Sequence, residues 1–198
     1  MSTTVEAFLE QRLDDYLEEI ASDRPAPGGG SVAAVVVAMA AGLVAMAARF
    51  SLEHWDEAAD VIERADALRR RVAPLAPADS QAFEEVLTAM RLPKDLEPEV
   101  RNTAIGNALA RAAEIPLVIA REASEVAALA ALVAEHGNPN VRGDAVTGVL
   151  LADAGARAAA NLVEVNLGTT EADGRIGRAR EHVEAARAAV EHALALGP

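Results

Sequence analysis

Apolar residues recur at three- and four-residue spacing along nearly the whole chain, the period of helices that each bury one face. Thr3 and Glu6, at capping-box spacing, precede Phe8, Leu9, Leu13, Leu17 and Ile20, which predicts a first amphipathic helix. Pro25-Ala-Pro27 ends it, because proline cannot continue a helix. A helix from about Ser31 to Phe50 comes next, uncharged from Val32 to Ala48. A charged helix is expected from about Asp56 to Val72, stopped by Pro74 and Pro77. Phe83, Val86, Leu87 and Met90 then hold helical spacing up to Leu92-Pro93-Lys94.

The second half reads in the same way. A helix after Pro98 runs to about Glu114, with Pro116 as a kink or restart. An Ala/Val/Leu stretch reaches His136, where Gly137 suits the residue after a helix end. Asn138 to Gly143 reads as a loop, Asp144 to Leu167 as helix, and Asp173 to Leu196 as a last helix with an Arg/Glu outer face. No internal repeat or long linker interrupts this, so residues 1–198 are expected to form one all-α domain. It would be an up-and-down-like bundle around a long buried central helix.

Composition strengthens that reading. About half of the 198 residues are apolar, but the excess is alanine and only 3% are aromatic. Alanine favours helix and lets helices approach closely, whereas β-sheets draw on aromatic and β-branched residues. The central run is near the lower length limit of a membrane span, yet its Ala/Gly content suits the centre of a bundle. A net charge of −13 disfavours nucleic acid and anionic membranes as partners. There is no cysteine, no secretory leader pattern is visible, and cytoplasmic residence is expected. His54, His136, His182 and His192 lack the spacing of a metal site, so no metal is expected. Tyr16 and Trp55 read as core or rim residues.

Four features carry candidate chemistry. In Pro25-Ala-Pro-Gly28-Gly29-Gly30-Ser31, the glycines permit positive φ and close approach of backbone N–H groups to a ligand. Ser31 would cap the central helix, whose positive N-terminus favours an anion. Asp79 shares a helical face with Phe83, Val86 and Leu87, where burial would raise its pKa and make it a general acid. Alternatively it caps the helix, and hydrogen bonding would lower its pKa. Lys94 is the only lysine among the 18 Lys and Arg residues, which points to a need for a compact ammonium. Finally, Asn138, Asn140, Asp144, Asn161 and Asn166 are late polar residues. Asp144 reads as an N-cap, and Asn161 as a buried amide on a stripe with Leu150, Ala154 and Val165.

Together these stretches resemble the cyclodeaminase/cyclohydrolase family, which comprises the C-terminal domain of formiminotransferase-cyclodeaminase and the free-standing methenyltetrahydrofolate cyclohydrolases. The resemblance rests on Pro25 to Ala34, Asp79-x-x-Ala-Phe83, Met90-Arg-Leu-Pro-Lys94, Arg101, Ile115-Pro-Leu117, Gly137-Asn138, Asp144 and Asn161-x-x-x-x-Asn166-Leu167. Gly143 departs from the Ser that commonly precedes the Asp, and Leu162 from the usual Val. The resemblance implies a dimerising all-α bundle that acts on one-carbon tetrahydrofolate derivatives without metal or separate cofactor. It places the acid/base carboxylate on Asp79 and the second catalytic group on Lys94. Substrate contacts would come from Gly28, Gly29, Gly30, Ser31, Asn138, Asp144, Asn161 and Asn166, with Arg49 or Arg101 meeting the glutamate tail. The Gly-Gly-Gly-Ser-Val-Ala-Ala and Met-Arg-Leu-Pro-Lys wording leans toward 5-formiminotetrahydrofolate cyclodeaminase, with a separate formiminotransferase as a further partner. Methenyltetrahydrofolate cyclohydrolase and a non-catalytic folate-binding or helical scaffold protein are the alternatives.

Overall fold

The structure, a computed structural model, describes residues 10–168 and 173–197. Every described element is helical: α1 (Leu13–Ala21), α2 (Gly29–Arg49), α3 (Ala58–Val72), α4 (Leu75–Met90), α5 (Pro98–Ala112), α6 (Glu114–His136), α7 (Arg142–Leu167) and α8 (Gly174–Ala195). A single 3-10 turn, Pro139–Val141, joins α6 to α7. The expected Thr3–Glu6 capping box, with Phe8 and Leu9, lies outside the described residues.

Helix α2 is the axis of the bundle and packs against α3, α4, α6 and α7. It runs antiparallel to α7: an added Cβ on Gly29 would lie 3.9 Å from Leu162 Cδ1 of α7, whereas Gly148, near the other end of α7, faces Val44 and Ala40. Small residues make this possible. Ala33, Ala34, Val37, Ala40, Ala41, Val44, Ala47 and Ala48 are almost wholly buried on α2, and Gly148, Ala152, Gly155, Ala156 and Ala159 on α7. At Gly155 a Cβ would overlap Val37 Cγ2. The alanines and glycines among them have no bulk beyond Cβ and allow this close packing around the two valines, and interiors at crystal-like density leave no slack for an extra carbon.

Two expectations need correction. Pro77 does not stop a helix; it sits in the first turn of α4, where the missing N–H costs no intrahelical bond. Asp144 is not an N-cap, because α7 begins at Arg142 and its cap position is Val141. Asp144 instead contributes negative charge to the first turn, where the helix dipole favours it. The central helix is buried as expected along most of its length, but one side of it stays open. Along α2, Val32, Val36, Met39, Leu43, Met46 and Phe50 form a seam that neighbouring helices leave uncovered or only partly covered, with Met39 51% and Phe50 61% exposed. Two helical stretches, Gly29–Arg49 and Pro139–Leu167, are long and apolar enough to cross a membrane by length and composition. Half or more of each is buried inside the bundle.

The tight α2–α7 contact makes Gly155→Leu strongly destabilising, by about 1–3 kcal/mol from overpacking. A paired Val37→Ala change should recover part of that loss. Chemical denaturation of both single variants and the double variant measures it, and simple additivity would rule out the contact as the cause.

Candidate functional site

A pocket of about 250 Å³ opens where the start of α2 meets the first turns of α4 and the last turns of α7. Its walls are Pro25, Ala26, Gly28, Gly29 and Gly30 from the loop and helix start, Asp79, Ser80 and Phe83 from α4, Ala112 from α5, and Leu162, Val165 and Asn166 from α7. The lining is mostly apolar. Among the described residues, its side-chain polar groups are those of Asp79, Ser80 and Asn166.

The glycines serve space rather than unusual backbone. Gly28 has φ of −115°, and the only positive-φ residues among those described are Gly168 and Gly197. Gly30 is irreplaceable for another reason: a Cβ there would overlap the Asp79 carboxylate. Ser31 is not the N-cap either; Gly28 holds that position. Ser31 is the third helical residue and fully buried. Its N–H donates to the Asp79 carboxylate. Its Oγ donates to the Ala76 carbonyl at 2.7 Å and lies 2.8 Å from Ser80 Oγ. The side chain proposed to meet a ligand therefore ties α2 to α4.

Asp79 lies inside α4, one turn past its start at Leu75, so it is no N-cap. The anion at the positive end of α2 is this carboxylate. Burial holds its pKa above the ordinary carboxylate value, opposed by the Ser31 N–H, which stabilises the charged form. Both physical effects expected from the sequence are present, and desolvation is the larger. Tyr16, the one buried residue of α1, is pushed up to about 12 by burial first and then by the charges of Asp79 and Glu19.

The remaining candidates divide. Asn166 lines the pocket, together with Gly28, Gly29, Gly30 and Asp79. Lys94 is exposed in the turn after α4, about 16 Å of helix rise beyond Asp79. Asn138 is at the far end of α2, about 30 Å from the glycines. There its N–H donates to Ser51 Oγ, its Nδ2 to the Phe50 carbonyl, and its Oδ1 accepts from the Asn140 N–H. Asp144 belongs to that same end. Asn161 is exposed, as are Leu150, Ala154 and Val165 on its stripe, and it faces a second groove with Arg157, Glu164, Arg180 and Glu184. The stripe expected to be interior is thus an outer face of the bundle. Arg49 pairs with Asp66, and Arg101 donates to the Met90 and Leu92 carbonyls, closing the end of α4. Ser80 was not anticipated. Its position beside Asp79 was the available signal, but a lone helical serine adds no periodicity.

An all-helical bundle thus carries a half-buried carboxyl group in the wall of a mostly apolar pocket, a group able to take up or release a proton. The chain belongs to the formiminotransferase-cyclodeaminase family, whose pattern it matches over residues 12–187. It is 39% identical over 164 residues to a methenyltetrahydrofolate cyclohydrolase of Methylorubrum extorquens, covering 79% of each chain. It is 33% identical over 147 residues to the formimidoyltransferase-cyclodeaminase of Sus scrofa, covering 70% of this chain but 27% of that one. The crystal structure of a formiminotetrahydrofolate cyclodeaminase from Thermotoga maritima superposes with a TM-score of 0.78 at 27% identity, covering 93% of this chain and 92% of that one.

Because folding raises the Asp79 pKa, the folded chain binds this proton more tightly than the unfolded chain. The group's contribution to stability is therefore largest at low pH and is lost as pH rises through the folded-state value. Asp79→Asn should melt above wild type at pH 7, with the difference vanishing below about pH 4. Calorimetry across that range checks it; an unchanged or lowered melting temperature at neutral pH would contradict the desolvated carboxyl.

Proposed function

We propose that this protein is a methenyltetrahydrofolate cyclohydrolase, with Asp79 as its general base. The observation that carries the reading is the Asp79 carboxyl on the floor of an apolar pocket, held at the start of α2. A relative of matching length bears that activity in its name, which moves cyclohydrolysis ahead of the cyclodeamination toward which the motif wording leaned. The substrate would place its one-carbon bridge between N5 and N10 near Asp79, with the pterin against the apolar wall. Water adds to the bridge carbon and gives a proton to the carboxylate. The carbon–N5 bond then breaks as the new hydroxyl becomes the formyl C=O, its proton passing to N5; 10-formyltetrahydrofolate leaves and Asp79 returns its proton to solvent. A base whose pKa is raised toward neutrality accepts that proton more readily than an ordinary carboxylate.

Cyclodeamination is the second reading, favoured by the likeness to the Thermotoga maritima cyclodeaminase. There N10 attacks the formimino carbon and its proton passes to the formimino nitrogen, and a protonated Asp79 gives the further proton with which ammonia departs. Either way, no step is assigned to Lys94. Offering 5,10-methenyl- and 5-formiminotetrahydrofolate separately, and following the methenyl chromophore, distinguishes the two. Loss above the buffer rate supports the hydrolase, appearance supports the deaminase, and neither leaves a binding or scaffold role. Asp79→Asn should lower turnover about 10²–10⁴-fold; wild-type turnover in that variant would remove Asp79 from the mechanism.

The uncovered α2 seam supports a homodimer as part of the same proposal. Val32, Val36, Met39, Leu43, Met46 and Phe50 recur at the 3.5-residue spacing of a helix–helix seam and carry no charge. Crossed antiparallel near Ala41, two copies would pair Met39 with Leu43, Val36 with Met46 and Val32 with Phe50, as a two-fold interface requires. Met39→Glu should yield a monomer by sedimentation velocity, where wild type sediments as a dimer. A wild-type monomer at micromolar concentration would exclude the interface.

A further inference from the structure

The hydroxyl groups of Ser31 and Ser80 have a fixed polarity. Ser31 Oγ lies 2.7 Å from the Ala76 carbonyl oxygen, which only accepts, so the Ser31 hydrogen is committed to that bond. The 2.8 Å contact between Ser31 Oγ and Ser80 Oγ must then be made by the Ser80 hydrogen. Ser31 is fully buried, which keeps water from competing for either bond. Ser80 lines the pocket beside Asp79, with its hydrogen spent inward. What it offers to the cavity is lone pairs alone.

We propose that Ser80 is an acceptor-only positioning residue that grips an O–H or N–H hydrogen of the small reacting group beside Asp79, with Ser31 fixing that polarity. The inference rests on the folate reading and adds a second acceptor to it. In hydrolysis, a water that gives one hydrogen to Asp79 and the other to Ser80 has its lone pair turned toward the bridge carbon. In deamination, the departing ammonia takes a proton from Asp79 and is held through another N–H by Ser80. A donor at this position would compete for the water's lone pair; an acceptor leaves it free for attack. Asn166, on the opposite wall, has both a donor and an acceptor and does not impose this orientation.

Ser80→Ala, Ser80→Thr and Ser31→Ala are compared with wild type in the chromophore assay across the neutral pH range, with thermal melting alongside. Ser80→Ala should lower kcat about tenfold, the worth of one hydrogen bond, with KM little changed. Ser80→Thr, which keeps the oxygen, should retain most of kcat. Ser31→Ala frees the Ser80 hydrogen to donate to the Asp79 carboxylate, which should move the pH–rate inflection to lower pH. Wild-type kcat in Ser80→Ala, or an equal fall in Ser80→Thr, overturns the role. Should wild type turn over neither folate, the functional reading fails separately. Neutron diffraction then reads the polarity itself: a Ser80 hydrogen directed at Ser31 supports the fixed acceptor, and one directed into the cavity overturns it.

Discussion

One carboxylate pressed against the first turn of a helix organises the site. The start of α2 has backbone N–H groups without intrahelical partners and a positive end. Asp79, carried in from α4, supplies the negative charge and accepts from the Ser31 N–H. That approach is possible only because residue 30 has no Cβ to stand in the way. The same closeness removes water from the carboxyl group, so the contact that orders Asp79 also raises its pKa. The protein's own anion occupies the helix terminus, and a ligand meets the carboxyl group rather than the bare dipole.

The surrounding bundle serves that contact. Alanine and glycine let α2 and α7 close together, which brings Leu162, Val165 and Asn166 over the glycine turn as the far wall of the pocket. A longer side chain at Gly155 or Gly148 would separate the helices and open that wall. Ser31 joins the other side, bonded to Ala76 at the beginning of α4 and to Ser80 one residue beyond Asp79. Helix packing and site chemistry are therefore not separable here. The stiffness of α2 also sets a limit: about 30 Å of helix separates Gly29 from the corner made by Ser51, Phe50 and Asn138.

Much of this was legible in the order of residues, and the exceptions have identifiable causes. Helical spacing located the described helices to within a few residues, apart from α1, which begins at Leu13 after a break at Gln11–Arg12 that the apolar spacing did not show, and α4, whose start at Leu75 was obscured by Pro77. The shared face of Asp79 and Phe83 was read correctly, because one helical turn fixes it. Family membership followed from motifs spread along the chain. Ser31, Asp144 and Asn161 were misplaced because cap position and burial depend on where a helix begins and which neighbours cover it. Ser80 was missed because its importance comes from Ser31, 49 residues away along the chain.

The sequence by itself determined the helices, their alanine-rich seams, the glycine turn and the carboxylate with one helical face behind it, since all of these rest on periodicity and local chemistry. Only the tertiary structure decided which candidates share a pocket. It gathered Gly28, Gly29, Gly30, Asp79 and Asn166, left Lys94 in an exposed turn, and sent Asn138 and Asp144 to the opposite end of the bundle. It also decided that glycine is needed at position 30 for room and not for positive φ. The reason is that desolvation, close approach and hydrogen-bond polarity arise between segments distant in sequence, and exist only once those segments are packed together.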